Sequence, residues 1–306
     1  MPTVLPTPET TQAAYYVISS LSRASRNRLH GVLFNKGMCL LNYRLRARGI
    51  DIKLPHCWYK HGDIVVEHWM PRNVQWPRPN EEQTYVYWQG PPPNPLTSQE
   101  TEKEIVAMAD ALRSEFTEDE RGIERIVEEV YRYAPFSFQD RFRRLFILLR
   151  SWRTPDVPVE DFVSKTVVPH FRELIRSFQG ADFPDLVLDL HKYAFVSERL
   201  LEKREGVRYI LEGLSEDFWL HFCKGLRLHP KAHENVPEPT LEIWEEEKRA
   251  SYDLFRAKLK YWATLAERET GIGDFAKPSV QAWLFPSSWG PESRDSGVAI
   301  DQTLYG

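Results

Sequence analysis

The stretch MCLLNYRLRARGIDIKLPHCWYKHGDIVVEHW, residues 38–69, decides the expected fold because its hydrophobic period changes along its length. Before Gly49 the apolar residues recur at helical spacing, and this glycine is placed to end a helix. Cys57–Lys60 and Ile64–Trp69 are instead rich in β-branched and aromatic residues. The intervening His61-Gly62-Asp63 is typical of a turn, so the sequence predicts a helix followed by a short hairpin.

Two helical patterns precede this stretch. The first begins at Thr11, and the second includes Leu29 and Leu33. Asn35-Lys36-Gly37 favours a break between the second and third helices, since Asn and Gly tolerate positive φ. One long helix over Arg26–Arg48 is the alternative. Three helices followed by a hairpin are typical of a winged-helix-like unit.

A proline-rich extension follows the hairpin, with seven prolines in residues 71–95. Proline breaks helices and cannot donate to a sheet, so this segment is expected to be extended and irregular. Within it Thr84–Trp88 reads as a strand and as a candidate third strand for the hairpin. We therefore expect residues 10–95 to form one basic winged-helix-like domain.

Residues 96–270 are predicted to form a bundle of about seven helices. Capping-box spacing at Thr97 and Glu100, and at Thr117 and Glu120, marks two helix starts. Pro169 is expected to kink or split one helix. Residues 271–306 form an irregular aromatic tail. The expected fold class is thus mainly α: a winged-helix-like N-terminal unit with a small β-hairpin sheet, followed by a multi-helix bundle.

The composition of the 306 residues is that of a globular chain, with 42% hydrophobic and 27% charged residues. No run of about 18 apolar residues is present, and the N-terminus lacks the pattern of a secretory signal. Three cysteines are an odd and sparse set, which argues against a disulfide framework. These properties predict a cytoplasmic protein with no membrane partner.

Charge is divided unevenly along the chain. Residues 1–60 contain nine Lys or Arg and two acids, which is +7 and leaves −11 for the rest of a chain whose formal charge is −4. A basic module of this kind is expected to contact nucleic acid or an acidic partner. The candidate nucleic-acid-binding residues are Arg23, Arg26, Arg28, Lys36, Arg44, Arg46, Arg48, Lys60 and His61. Arginine suits this role because its planar fork donates two parallel hydrogen bonds to phosphate.

Two sets of closely spaced histidine and cysteine residues are candidates for a metal site. One set is His221, Cys223, His229 and His233, and the other is His56, Cys57, His61 and His68. Histidine and cysteine are preferred zinc ligands, but no paired C-x2-C knuckle supports either set. The expected core position of Cys223 also favours a structural role. We therefore predict no metal and no other cofactor.

Motifs for known catalytic mechanisms are absent from the sequence. It contains no G-x-S-x-G elbow, no G-x-G-x-x-G and no G-x4-G-K-[ST]. We predict no catalytic residue. An enzyme would need a site assembled by the fold from dispersed histidines and acids, as in a metal-dependent nuclease or hydrolase.

Residues 30–66 resemble the N-terminal part of Panacea-type (SocA-like) antitoxin domains and of the related YwgA-like proteins. The likeness rests on Lys36–Tyr43 and on Gly49, Tyr59 and Gly62, with Asp63 where those families place a proline. The resemblance implies a non-enzymatic module of prokaryotic conflict systems that binds protein, sometimes with DNA.

The expected function is a non-enzymatic nucleic-acid- or protein-binding adaptor, a regulatory subunit in antiphage (antiviral) defence or a toxin–antitoxin system. Its partners would be other protein subunits, with nucleic acid contacting the basic unit. Two alternatives stay open: the metal-dependent enzyme, and a purely structural subunit of a multi-protein complex.

Overall fold

The computed structural model describes residues 6–22, 28–76, 85–152, 158–203 and 208–270. The described chain is mainly helical, with small antiparallel sheets in the N-terminal region and a multi-helix part after it, which confirms the predicted fold class. Its helices are α1 (Pro8–Leu21), α2 (Gly31–Arg46), α3 (Gln99–Glu115), α4 (Glu120–Tyr131), α5 (Ser137–Ser151), α6 (Val159–Phe162), α7 (Val168–Arg176), α8 (Val187–Lys203), α9 (Arg208–Leu226) and α10 (Glu238–Thr270). Its strands are β1 (Arg28–His30), β2 (His56–Tyr59), β3 (Gly62–Val65), β4 (Val74–Gln75), β5 (Tyr85–Trp88) and β6 (His233–Glu234).

Two compact units make up the chain. The first comprises Met1–Pro135 with Cys223–Arg249, and the second comprises Phe136–Phe222 with Ala250–Gly306. The first unit extends past the predicted boundary at Pro95 because α3 and α4 pack against α2. The functional division into a basic domain, a bundle and a tail stays a prediction, and the tail lies outside the described residues. Among the described helices, none combines the length and apolar composition needed to cross a bilayer.

In the first unit, α2 is the central element. The predicted helix break at Asn35-Lys36-Gly37 is wrong, because α2 runs unbroken through it after the short strand β1. The Asn35 side chain donates to the Gly31 carbonyl at 2.9 Å, and Gly37 lets α1 approach closely. A Cβ at position 37 would lie 3.3 Å from Val17 Cγ1. The predicted helix end is confirmed by Gly49, which has φ +81° and follows the last turn.

The predicted hairpin is present as β2 and β3, paired antiparallel from His56↔Val65 to Tyr59↔Gly62. Its third strand among the described residues is β6, which pairs with β2, and not β5, the described part of the predicted strand Thr84–Trp88. The strand predicted in that segment is present, but its predicted pairing with the hairpin is wrong, because β5 pairs with β1 and β4 in a separate sheet.

The helix starts of α3 and α4 also differ slightly from the prediction. Ser98, rather than Thr97, accepts the capping hydrogen bond of α3, from the Thr101 amide at 3.2 Å. Asp119, rather than Thr117, caps α4, and its side chain accepts from the Gly122 amide at 2.8 Å. Each cap lies one or two residues from the predicted one because neighbouring Ser, Thr and Asp side chains can serve equally.

The second unit is held together by aromatic packing. Phe142 of α5, Tyr193 of α8 and Phe218 of α9 are all buried and lie ring against ring, with the Tyr193 and Phe218 centroids 4.5 Å apart. Pro169 is the second residue of α7, which follows a π-helical segment, Val163–Val167, that joins it to α6. The expected disturbance at this proline therefore takes the form of a wider helical turn.

Candidate functional site

The basic residues predicted to contact nucleic acid occupy different environments. Arg23 and Arg26 lie outside the described residues. Arg28 lies over the Tyr85 ring, with its guanidinium carbon 4.0 Å from the ring centroid. Lys36 is 2% exposed and lies in the interior of the first unit, so the surface role predicted for it is wrong in this fold. An apolar helix face places it there, between Leu33 and Leu40.

The arginines in the last turn of α2, Arg44 and Arg46, and Arg48 just after it each form an ion pair. Both terminal nitrogens of Arg44 donate to the Glu115 carboxylate, at 2.7 and 2.6 Å. This hydrogen bonding holds the pKa of Glu115 below its usual value. Arg46 pairs with Glu234 and Arg48 pairs with Glu104. The guanidinium charges predicted to face a phosphate backbone are thus matched by carboxylates of the same unit.

Lys60 and His61 form the exposed two-residue turn of the hairpin, as the sequence predicts. Partial burial of the imidazole, followed by the charges of Lys60 and Lys36, lowers the pKa of His61. These two residues stay candidates for contact with an anionic ligand.

A group of buried polar side chains lies beneath the hairpin; we call Lys36, Tyr43, His56 and Asp63 the Asp63 cluster. The Lys36 ammonium donates to the Asp63 carbonyl at 2.6 Å, and the Tyr43 hydroxyl donates to Asp63 Oδ2 at 2.6 Å. His56 Nδ1 lies 2.9 Å from Asp63 Oδ1 and 2.8 Å from Oδ2. The carboxylate of Asp63, which is 0% exposed, is therefore held by Tyr43 and His56, while Lys36 binds the backbone carbonyl of the same residue.

The tight turn after His61 lets these groups meet. Gly62 has φ +89°, a conformation that side chains rarely adopt, and a Cβ there would lie 3.0 Å from the Tyr131 ring and 3.2 Å from Lys36 Nζ. Glycine at this position therefore lets the hairpin lie close to both α2 and α4.

Charges inside the cluster shift the ionisation of its members. Burial alone would lower the pKa of His56, but the Asp63 carboxylate and then Glu234 raise it to about 9. Burial lowers the pKa of Lys36 to about 8, against the opposing influence of Cys39 and Asp63. At neutral pH both bases therefore carry a proton. His56 thus contacts the buried carboxylate directly and Lys36 lies at the backbone carbonyl of Asp63, while Glu234 adds a second negative charge 3.6 Å from His56 Nε2.

Cys39, His56 and Asp63 are the one group of described residues whose ligand atoms lie close enough together to suggest a metal, all within 4.8 Å. Their donor set, one thiol, one imidazole and one carboxylate, is chemically suited to zinc. Lys36 and protonated His56 already provide the positive charge that the carboxylate needs, and burial raises the pKa of the Cys39 thiol well above its usual value. The residues present therefore fit a buried ion-paired group with a protonated histidine better than a metal centre.

Neither of the two candidate metal sets forms a group of close ligand atoms among the described residues. In the first set, His221 hydrogen-bonds to Asp189 and Ser251, while the His229 ring accepts from the Lys231 amide. Cys223 is buried and His233 lies in β6. In the second set, His56 alone joins the cluster described above.

The Asp189–His221–Ser251 chain is a feature that sequence reasoning missed. His221 Nε2 lies 3.1 Å from Asp189 Oδ2, and its Nδ1 lies 3.1 Å from Ser251 Oγ. These are the residue types of a Ser–His–Asp relay, but none of the three is more than 4% exposed. Ser251 also lies inside α10, whose amides are committed to the helix. We therefore interpret these three hydrogen-bonded side chains as part of the packed interior of the second unit.

Comparison with known proteins gives no relative: no family model, no curated protein and no solved structure matches the chain.

Proposed function

We propose that the chain is a non-enzymatic adaptor or regulatory subunit that binds another protein through the end of α2, within a prokaryotic antiphage-defence or toxin-control system. The observation that supports this proposal most is the pairing of Arg44, Arg46 and Arg48 with carboxylates. A nucleic-acid backbone is bound best by converging, uncompensated cations. A surface of alternating charges instead suits the polar rim of a protein interface, where it sets register and partner choice.

An exposed aromatic residue belongs to the same surface. Tyr133 is 41% exposed, and its ring stacks on Tyr43 with the centroids 4.4 Å apart and the planes 5° from parallel. Tyr43 directly precedes Arg44 in α2, so the stacked Tyr133 ring lies at the same end of this helix. Tyrosine and arginine are enriched among the residues that dominate binding energy at interfaces. We call Arg44, Arg46, Arg48 and Tyr133 the arginine–tyrosine surface.

The Asp63 cluster supports this surface from below. Tyr43 donates its hydroxyl to Asp63 and presents its ring face to Tyr133. The orientation of the exposed ring is therefore fixed by a buried hydrogen bond, which lowers the entropy lost when a partner binds.

The resemblance of residues 30–66 to Panacea-type domains provides the biological setting of the proposal. These residues include α2 and the hairpin. Contact with nucleic acid is a second candidate, favoured by the exposed Lys60 and His61 at the hairpin tip.

Co-expression with the products of the neighbouring genes tests the proposal. We expect one of them to form a stoichiometric complex with the tagged full-length chain, measured by size-exclusion chromatography with light scattering. The double variant R48A/Y133A should weaken that complex by about tenfold or more, since hot-spot residues of this type contribute at least 1.4 kcal/mol.

Arg132→Ala is the matched control, because Arg132 is 75% exposed on the adjoining turn and pairs only locally with Glu129. Its complex should be unchanged. Absence of a complex with every neighbouring product, or a complex equally strong in R48A/Y133A, would overturn the proposal.

A further inference from the structure

The long helix α10 exposes an apolar stripe away from the protein core. Ala250, Leu254, Ala257 and Tyr261 are exposed and follow one another at spacings of four, three and four residues. This spacing places all four on one helix face, in the a and d pattern of a helix-pairing seam. Leu254 is 53% exposed and Tyr261 is 59% exposed. We call these four residues the α10 stripe.

The opposite face of α10 after Arg249 packs within the second unit. Phe255 and Leu259 are 2% and 5% exposed, and the Trp262 indole donates to Asp217 at 2.7 Å. The α10 stripe is therefore not needed to hold the helix in place. Large apolar side chains exposed together on such a helix are typical of an interaction surface.

Two charged residues flank the stripe on one side. Asp253 directly precedes Leu254 and Lys260 directly precedes Tyr261, so both occupy the g position of successive heptads. Both side chains are exposed, and neither forms an ion pair with another described residue. The stripe thus has opposite, uncompensated charges one heptad apart along a single edge.

We propose that the α10 stripe binds the same stripe of a second copy of this chain, with the two helices antiparallel. In an antiparallel pair, g positions of one helix face g positions of the other. A two-fold axis then brings Asp253 of each copy to Lys260 of the other copy, so that two equivalent ion pairs form.

A parallel pair lacks this complementarity. There g positions face e positions, so Lys260 would lie against Leu265, and Asp253 against Lys258, which already pairs with Asp217. The arrangement of charges therefore selects both the occupant and its direction.

The size of the stripe sets the expected strength of the dimer. From Ala250 to Tyr261 it extends about 17 Å along the helix axis. An interface of this length is at the small end for specific complexes, so a dissociation constant of about 1–100 µM is expected. The α10 stripe shares no residue with the arginine–tyrosine surface, so the two proposals stand or fall independently.

Sedimentation velocity of the full chain over a concentration series from below to above this range tests the proposal. The wild type should shift from monomer to dimer. Asp253→Lys and Lys260→Asp should each weaken the dimer by about tenfold or more, because each places like charges opposite one another. The double swap D253K/K260D should restore it.

Tyr209→Ala is the control for removal of an exposed aromatic, since Tyr209 is 47% exposed on α9 and outside the stripe. It should dimerise like the wild type. A wild type that stays monomeric throughout, which is also the result expected if the stripe binds a different protein, would overturn the proposal. So would single swaps that leave the dimer unchanged, or a double swap that fails to restore it.

Discussion

His56→Gln tests whether the Asp63 cluster contains a protonated histidine. In the folded chain, Asp63 and Glu234 raise the pKa of His56 from 6.5 to about 9 despite burial. A group whose pKa is raised on folding stabilises the protein fully below its unfolded pKa, and this stabilisation is lost as the pH rises through the folded pKa. We therefore expect the advantage of the wild type over His56→Gln to shrink as the pH rises above 6.5.

The magnitude follows from the two pKa values. One pH unit within this window changes the free energy of unfolding by up to about 1.4 kcal/mol. From pH 6.5 to 8.5 the difference between wild type and variant should fall by about 2 kcal/mol. Lys36 acts in the opposite direction above about pH 8, since burial lowers its pKa. Both proteins retain Lys36, so the comparison removes most of its contribution.

Urea unfolding of both proteins at pH 6.5, 7.5 and 8.5 provides the measurement. His191→Gln is the control, because burial lowers the pKa of His191 to about 4. The free energy of unfolding of the wild type and of His191→Gln should therefore differ in pH dependence mainly below pH 6.5. Between pH 6.5 and 8.5 the difference between them should change by less than about 0.5 kcal/mol. A wild-type advantage over His56→Gln that is constant between pH 6.5 and 8.5 would refute the charged-histidine cluster.

Three further predictions concern the turn, the aromatic core and the metal. Gly62→Ala should lower the free energy of unfolding by about 1–3 kcal/mol, because position 62 has φ +89° and no room for a Cβ beside Tyr131; an unchanged urea midpoint would contradict this. Phe142→Ala should cost about 3–5 kcal/mol, because its 0% exposed ring packs in the aromatic core of the second unit; thermal unfolding within a degree of wild type would contradict this. Elemental analysis should find no stoichiometric zinc, since Lys36 supplies the charge beside Asp63; one zinc per chain that is lost in Cys39→Ser would show that a metal replaces this charge cluster.

Local sequence patterns predicted those parts of the fold that depend on neighbouring residues. The hairpin and the helix end at Gly49 follow from alternation, turn chemistry and positive φ, which act within a few residues. The predicted break at residues 35–37 failed because packing decided it: Gly37 is where α1 approaches α2. Propensity at a glycine cannot distinguish a helix end from a close helix contact.

The candidate site was largely beyond sequence reasoning because its members are distant in the chain. Arg44 and Glu115 are 71 residues apart, and Arg46 and Glu234 are 188 apart. One signal was available: Lys36 occupies the apolar face of its helix, where a lysine requires a buried partner. Its partner in the structure is the Asp63 carbonyl, on the predicted hairpin.

Binding of full-length protein to duplex DNA and single-stranded RNA at 50 and 200 mM salt, followed by fluorescence anisotropy, tests the central claim that the α2 arginines are compensated within the first unit. We predict weak binding that changes by less than about tenfold between the two salt concentrations, because few phosphate contacts form. Tight binding that falls by about a thousandfold over this range, and is abolished by R44E/R48E, would contradict the claim.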